Sequence, residues 1–362
     1  MSSARERRLA AVVERLVTNH LDGLLVTSLP NIRYLTGFSG SNALLYVSAR
    51  ATHLVTDFRY QTQAASESSD VCDVRIESSS LWTGFWAVLA STQGAQTIGF
   101  ESAHLLHRDF QRLLEQGGRW HWRPTTDLVE GLRAQKDAGE VAQIRRAGAM
   151  AMNALRETLE TVRAGMTELE VCGRLERALR DAGSDAHPFP PIVASGPRSA
   201  LPHARASGRA IAPGEFLLLD FGASAGGYCS DVTRTVVVGH ADDRQRETYE
   251  AVREANRVAR EGIRAGMRGR EGDALARSVL EARGLGALFG HGLGHGIGLE
   301  VHEAPRLSRM AEEVLPEGSV VTIEPGVYVP EWGGVRIEDD VHLSADGADL
   351  LTDFTRELLI LS

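Results

Sequence analysis

One stretch of this chain occurs twice, and two further pairs of stretches follow it in the same order. Val162-Arg163-Ala164-Gly165-Met166 returns as Ile263-Arg264-Ala265-Gly266-Met267, and an amphipathic helical pattern follows each, ending near Gly183 and Gly284. The run GEFLLLD, Gly214 to Asp220, returns as GSVVTIE, Gly318 to Glu324, so each apolar segment ends on a carboxylate. Gly226-Gly227 leading to Asp231 returns as Gly333-Gly334 leading to Glu338. The offsets are 101 (162 to 263), 104 (214 to 318) and 107 (226 to 333) residues, a drift that small loop insertions explain. A glycine followed by an apolar run and an acid is a common strand signature by itself. Three such pairs in register instead predict that residues 135 to 362 form two related α+β halves about a pseudo-twofold axis, each delivering two acids from equivalent positions.

The segment before the repeat reads differently. Leu9, Val12, Val13, Leu16 and Val17 recur at helical spacing, and strand candidates follow at Gly23–Thr27, Asn42–Val47 and Thr52–Thr56. A long stretch rich in Ala, Glu, Arg and Met from Lys136 to Val162 predicts a helix. Two domains are therefore expected, a mixed α/β domain over 1–131 and a larger one over 132–362, as suits a chain of 362 residues.

The four acids constrain the chemistry. An ionised carboxylate at the end of a buried strand is costly unless paired or bound to metal, which applies to Asp220 and Glu324. A lone buried acid is most often one half of a structural ion pair. Four acids gathered symmetrically would instead repel and take up protons, and two divalent cations would balance them. Such an oxygen-rich set suits Mn, Mg, Co, Fe or Zn, and one imidazole would disfavour Mg.

The imidazole candidates lie in Gly290–Glu303, GHGLGHGIGLEVHE, which holds three of the 12 histidines: His291, His295 and His302. Its glycines argue against a helix, so the spacing of His291 and His295 is not one helical face; an extended strand would put both on one side. The stretch is neither HExxH nor a phosphate-binding loop.

These residues carry a resemblance. GHGLGHGIGLEVHE, with LLLDFGA (217–223), SDVTRT (230–235), TIEPGVY (322–328) and GGVRIEDDV (333–341), resembles the catalytic domain of the Xaa-Pro aminopeptidase and prolidase family, metallopeptidase family M24. IRYLTGFSGSNALL (32–45) and LVTDFRYQTQA (54–64) resemble its N-terminal domain. The implied fold is a creatinase-like N-terminal domain followed by a pita-bread catalytic domain. Matched residue by residue, the resemblance implies that Asp220, Asp231, His295, Glu324 and Glu338 bind two divalent metals, manganese first, with cobalt or zinc as alternatives. Asp231 and Glu338 would bridge them, Asp220 serving one metal and His295 with Glu324 the other, and a hydroxide between the metals would attack the scissile carbonyl. His203, His291 and His302 would orient substrate or move protons, with Glu324 also catalytic, and Arg336 would orient ligands. Arg205-Ala206-Ser207 departs from the Gly-Pro-Ser often found after His203. Tyr228 and Tyr328 read as packing residues, and Trp82 and Trp86 as candidates to line the substrate entrance.

The expected activity is removal of an N-terminal residue preceding proline, from peptides with proline at the second position; the alternative is an Xaa-Pro dipeptidase. Methionine aminopeptidase is disfavoured by the extra N-terminal domain, and creatinase by the complete ligand set. A non-enzymatic binding module on the same fold would typically have lost ligands. A net charge of -9 argues against nucleic acid. Three widely spaced cysteines support no disulfide framework, and neither a signal peptide nor a membrane-spanning run is seen, so a cytoplasmic location is expected. The resemblance further implies a homodimer or homotetramer.

Overall fold

Ser3 and Glu6 close a capping box that starts α1 (Ala4–Thr18), whose Leu9, Val12 and Leu16 are buried. The computed structural model describes residues 3–362. The chain separates into two units, Met1–Arg133 and Ala134–Ser362.

The first unit is built on one six-stranded sheet. Its strands are β1 (Gly23–Val26), β2 (Ala43–Ser48), β3 (Thr52–Asp57), β4 (Asp73–Glu77), β5 (Thr97–Glu101) and β6 (His121–Thr125), ordered β4-β3-β2-β1-β5-β6. Only the β1–β2 and β2–β3 pairs are antiparallel. The helices α2 (Leu29–Thr36), α3 (Gln61–Ser68), α4 (Leu81–Ser91), α5 (His107–Gln116) and α6 (Glu130–Arg133) complete it. Trp82 and Trp86 pack with Phe85, Trp120 and Trp122 in this unit's aromatic cluster, and Trp86 stacks on Trp120 at 5.9 Å. Trp82 also lines a cavity of about 380 Å³ wholly within the unit.

The second unit repeats one layout twice. The first half comprises α7 (Ala138–Thr161), α8 (Glu168–Asp181), β7 (Ile192–Ser195), β8 (Glu215–Phe221), the short strands β9 (Ser224–Ala225) and β10 (Tyr228–Cys229), and β11 (Val232–Val238). The second comprises α9 (Asp243–Gly262), α10 (Gly269–Ala282), β12 (Gly294–Gly296), β13 (Glu303–Leu307), β14 (Val320–Ile323), the hairpin β15 (Gly326–Val329) and β16 (Gly333–Arg336), and β17 (Asp339–Leu343). β18 (Ala348–Leu350) extends the sheet of the second half and β19 (Ile360–Leu361) that of the first, giving the orders β19-β11-β8-β7 and β13-β12-β14-β17-β18. The repeat extends to the backbone: Gly165 and Gly266 take φ of 88° and 85°, and Gly214 and Gly318 both take 84°. These left-handed turns suit glycine, which explains why the repeated stretches keep one there.

The glycine pairs, by contrast, do different work. Gly226 and Gly227 turn between β9 and β10 with φ of 57° and 82°. Gly333 and Gly334 instead open β16, where a Cβ on Gly334 would lie 2.3 Å from the Ser199 carbonyl oxygen. The equivalent turn in the second half falls two residues earlier, at Glu331.

Alternation along the strands decides what faces where. Leu217, Leu219 and Phe221 of β8 join the core of the first half with α7 and α8, so Asp220 points the other way, alongside Phe216 and Leu218. Val321 and Ile323 of β14, and Val341 and Leu343 of β17, join the core of the second half with α9 and α10. Thr322, Glu338 and Asp340 are thereby turned to the opposite face. Each fully buried leucine of this kind is worth about 1.5–3 kcal/mol, which fixes the register that aims the acids.

Among the described residues, no helix is long and apolar enough to cross a membrane.

Candidate metal centre

Two glycines let β12 approach its neighbours. A Cβ on Gly294 would lie 2.0 Å from the Thr322 carbonyl oxygen, and one on Gly296 2.1 Å from that of Ala304. His295, between them, is thereby carried against β14, its N–H donating to Thr322 Oγ1 at 3.1 Å. His291 lies outside the strand, so the two histidines do not share an extended segment as alternation had suggested.

The His295 ring is oriented by its own backbone. Nδ1 lies 3.1 Å from the Gly296 carbonyl oxygen, which can only accept, so the proton sits on Nδ1 and Nε2 presents a lone pair. That lone pair faces carboxylates, 3.5 Å from Glu324 Oε1 and 3.9 Å from Asp231 Oδ2. Burial, with His302 beside it, pushes the His295 pKa down to about 4. One ligand atom each from Asp231, His295 and Glu338 falls within 4.8 Å of the others.

The acids are crowded. Burial raises the pKa of Asp220, Asp231, Glu324 and Glu338; repulsion from neighbouring acids adds to it for Asp231, Glu324 and Glu338, whereas Arg336 opposes it for Asp220, and Glu324 is pushed up to about 8. Asp231 Oδ1 is buried and has no hydrogen-bond partner. An orphaned carboxylate oxygen, an unprotonated imidazole nitrogen and four acids together are what a divalent cation would complete.

Neighbouring polar groups hold the cluster. Thr233 Oγ1 donates to Glu338 Oε2 at 2.6 Å and accepts from Arg336 Nε at 3.0 Å. The Asp231 N–H donates to Asp340 Oδ2 at 3.0 Å. Arg336 is buried and pairs with Asp220 through Nη2, while its Nη1 donates to the Tyr328 hydroxyl at 2.8 Å. Buried as it is, Arg336 is not a surface ion pair.

Tyr328 corrects an expectation. Rather than only packing, its hydroxyl lies 2.8 Å from His291 Nε2, and His291 Nδ1 lies 2.8 Å from the Gly292 carbonyl oxygen. The proton is therefore on Nδ1, and Tyr328 donates to Nε2 while accepting from Arg336. Tyr228 does pack, and its hydroxyl donates to Glu140 Oε1 at 2.9 Å.

The His302 ring lies beside that of His295, centroids 4.3 Å apart with the planes tilted by 55°, and His302 is exposed, as is His203. His203 is within electrostatic reach of Asp220, His291 and His302. Sequence reasoning missed Thr233, two residues after Asp231, and Thr322, two residues before Glu324. The two-residue period was the available signal.

Residues 142–345 match the description "Metallopeptidase family M24", and residues 8–135 match "Creatinase/Prolidase N-terminal domain". The chain belongs to metallopeptidase family M24. It is 36% identical over 356 residues to an Xaa-Pro dipeptidase of Pyrococcus furiosus, an overlap of 98% of this chain and 100% of that protein. The solved Xaa-Pro dipeptidase from Bacillus anthracis matches with a TM-score of 0.95 at 37% identity, covering 99% of this chain and all 100% of the other. The X-Pro aminopeptidase from Thermotoga maritima matches with a TM-score of 0.90 at 34% identity, covering 97% and 99%. As an M24 peptidase the chain is a hydrolase with the creatinase-like N-terminal domain and the pita-bread catalytic domain, from a family that works with divalent metals.

Proposed function

We propose that this M24 peptidase is an Xaa-Pro dipeptidase dependent on two divalent cations held by Asp220, Asp231, His295, Glu324 and Glu338. The observation that carries the metal reading is that Asp231, His295 and Glu338 each bring a ligand atom within 4.8 Å of the others, beside a buried Asp231 Oδ1 that has no hydrogen-bond partner among the described residues. The dipeptidase reading departs from the aminopeptidase expected from sequence, and the similarity to two Xaa-Pro dipeptidases supports it. The likeness to the Thermotoga maritima X-Pro aminopeptidase keeps removal of an N-terminal residue from longer peptides as the second reading.

When bound, the cations supply Lewis acidity toward the scissile carbonyl and acidify water near neutral pH. The protein groups do the rest. The bond to proline has no N–H to recognise, so binding rests on the carbonyl and the chain ends. His203 and His302, exposed beside the acids, hydrogen-bond the substrate there. The departing proline nitrogen needs a proton, and Glu324, which accepts from Thr322 Oγ1 at 3.4 Å, is the group that passes it on. Arg336 holds Asp220 and Tyr328 in place.

A dipeptidase also needs a cation for the free substrate carboxylate. Arg306 of β13 is exposed and close enough to His302 to lower that residue's pKa. Replacing Arg306 by methionine is expected to cost about 1.5–3 kcal/mol of dipeptide binding, a rise in KM of roughly ten- to a hundredfold, with tripeptide cleavage unchanged or improved. Steady-state kinetics on Xaa-Pro and Xaa-Pro-Yaa substrates checks this. Wild-type cleavage of tripeptides at least as fast as dipeptides would favour the aminopeptidase instead.

A further inference from the structure

Two substrate-facing histidines sit on irregular segments, and each segment is tied down by a buried carboxylate of a repeat-related helix. The His203 segment leaves β7 at Ser195 and runs through a 3₁₀ turn, Gly196–Ala200, before His203. Glu168, in the first turn of α8, has a fully buried side chain. Its Oε1 accepts from Ser195 N at 2.8 Å and Ser195 Oγ at 2.9 Å, while its Oε2 accepts from Ser207 N at 3.0 Å and Ser207 Oγ at 2.7 Å. Arg198 Nε, inside the segment, donates to the same group at 3.0 Å. One carboxylate therefore closes both ends of the segment that carries His203.

The second half solves the same problem from α10, the counterpart of α8. Asp273, 1% exposed, accepts from Leu293 N at 3.0 Å and is bridged by both ends of the Arg277 guanidinium, at 2.6 and 2.9 Å. Arg277 then donates to the carbonyls of Phe289 at 3.0 Å and His291 at 2.8 Å. The pair brackets His291 as Glu168 brackets His203.

We infer that Glu168 and the Asp273–Arg277 pair are positioning residues for His203 and His291 respectively, one clamp per half of the repeat. The inference rests on the substrate-facing role proposed above for His203 and on the substrate-orienting role that the family resemblance implies for His291. Burying an acid is unfavourable against packing an apolar residue of like volume, so stability alone is a poor reason to place one under each segment. A catalytic side chain on irregular backbone, however, must be held to within a fraction of an ångström, and a misplacement of about 1 Å can cost a hundredfold in rate.

The test combines two readouts on the metal-loaded protein. Glu168→Gln keeps the shape, and Ser207→Ala is a milder variant should the first fold poorly; Asp273→Asn probes the other half. In hydrogen exchange without substrate, Glu168→Gln and Ser207→Ala should speed exchange at 195–207 and leave 289–293 unchanged, with Asp273→Asn doing the reverse. On Xaa-Pro dipeptides, Glu168→Gln should lower kcat/KM by about ten- to a hundredfold without loss of bound metal. The same substitution should cost less than about threefold in a His203→Ala background, while keeping its full cost in a His291→Ala background. An equal loss in all three backgrounds, or loosening spread through α8 and the sheet, would overturn the inference. If the wild-type protein cleaves no Xaa-Pro dipeptide, the functional reading has failed, and the exchange pattern alone then decides the clamps: local loosening supports them and its absence overturns them.

Discussion

His295→Ala is expected to lower Xaa-Pro hydrolysis by well over a hundredfold and to leave the protein short of bound metal, because it removes the single nitrogen from a set otherwise made of carboxylates. Outer residues that only orient a ligand typically cost ten- to a hundredfold, so loss of a ligand should cost more. Glu338→Ala should behave alike, since Glu338 shares the three-residue donor group with Asp231 and His295. Folding should survive Glu338→Ala, which reduces crowding among buried acids. Kinetics and elemental analysis of the purified variants check this, and full activity in either would contradict the metal mechanism.

The second large effect concerns the metal-free protein and pH. Glu324 is pushed up to about 8 in the fold from an ordinary value of 4.5, Asp231 and Glu338 are also raised by burial and repulsion, and Asp220 is raised by burial. A raised acid contributes stability that is present below its unfolded pKa and is lost as pH climbs through the folded value. His291 and His295, lowered to about 4, act in the opposite sense, but their contribution is complete above pH 6.5. Between pH 6.5 and 8 only the acids still change, so the chelated protein should lose thermal stability steadily across that window. With divalent metal bound, the same window should be nearly flat, and adding metal at pH 7 in weak buffer should release protons. A metal-free melting temperature that holds constant or rises from pH 6.5 to 8 would contradict the electrostatic account.

Much of this was legible in the sequence, for definite reasons. The repeat survives as glycines with matched left-handed φ and as acids in equivalent places, both of which need particular residue types. The family wording in Gly290–Glu303 singled out His295 from three histidines, which spacing alone had left open. Tyr328 was misread because its partners are made in three dimensions: Gly326 pairs with Arg336 across the β15–β16 hairpin, which brings the guanidinium to the hydroxyl, and His291 arrives from another element. Glu168 gave no signal, since the amides it closes lie 27 and 39 residues away. Arg306 looked like any surface arginine until β13 was seen to carry it near His302. The glycine pair at 333–334 matches 226–227 in sequence, but close packing against Ser199 rather than a turn is what requires glycine at 334.

The central claim is a dinuclear centre that cleaves the bond to proline. It is tested most directly by titrating the chelated protein with manganese while measuring bound metal and hydrolysis of an Xaa-Pro dipeptide in the same samples. The account predicts no hydrolysis without metal and activity that rises to a plateau at two ions per chain, with cobalt or zinc as substitutes to be tried alongside. Hydrolysis that persists after complete chelation, or a plateau with one ion or none bound, would contradict it.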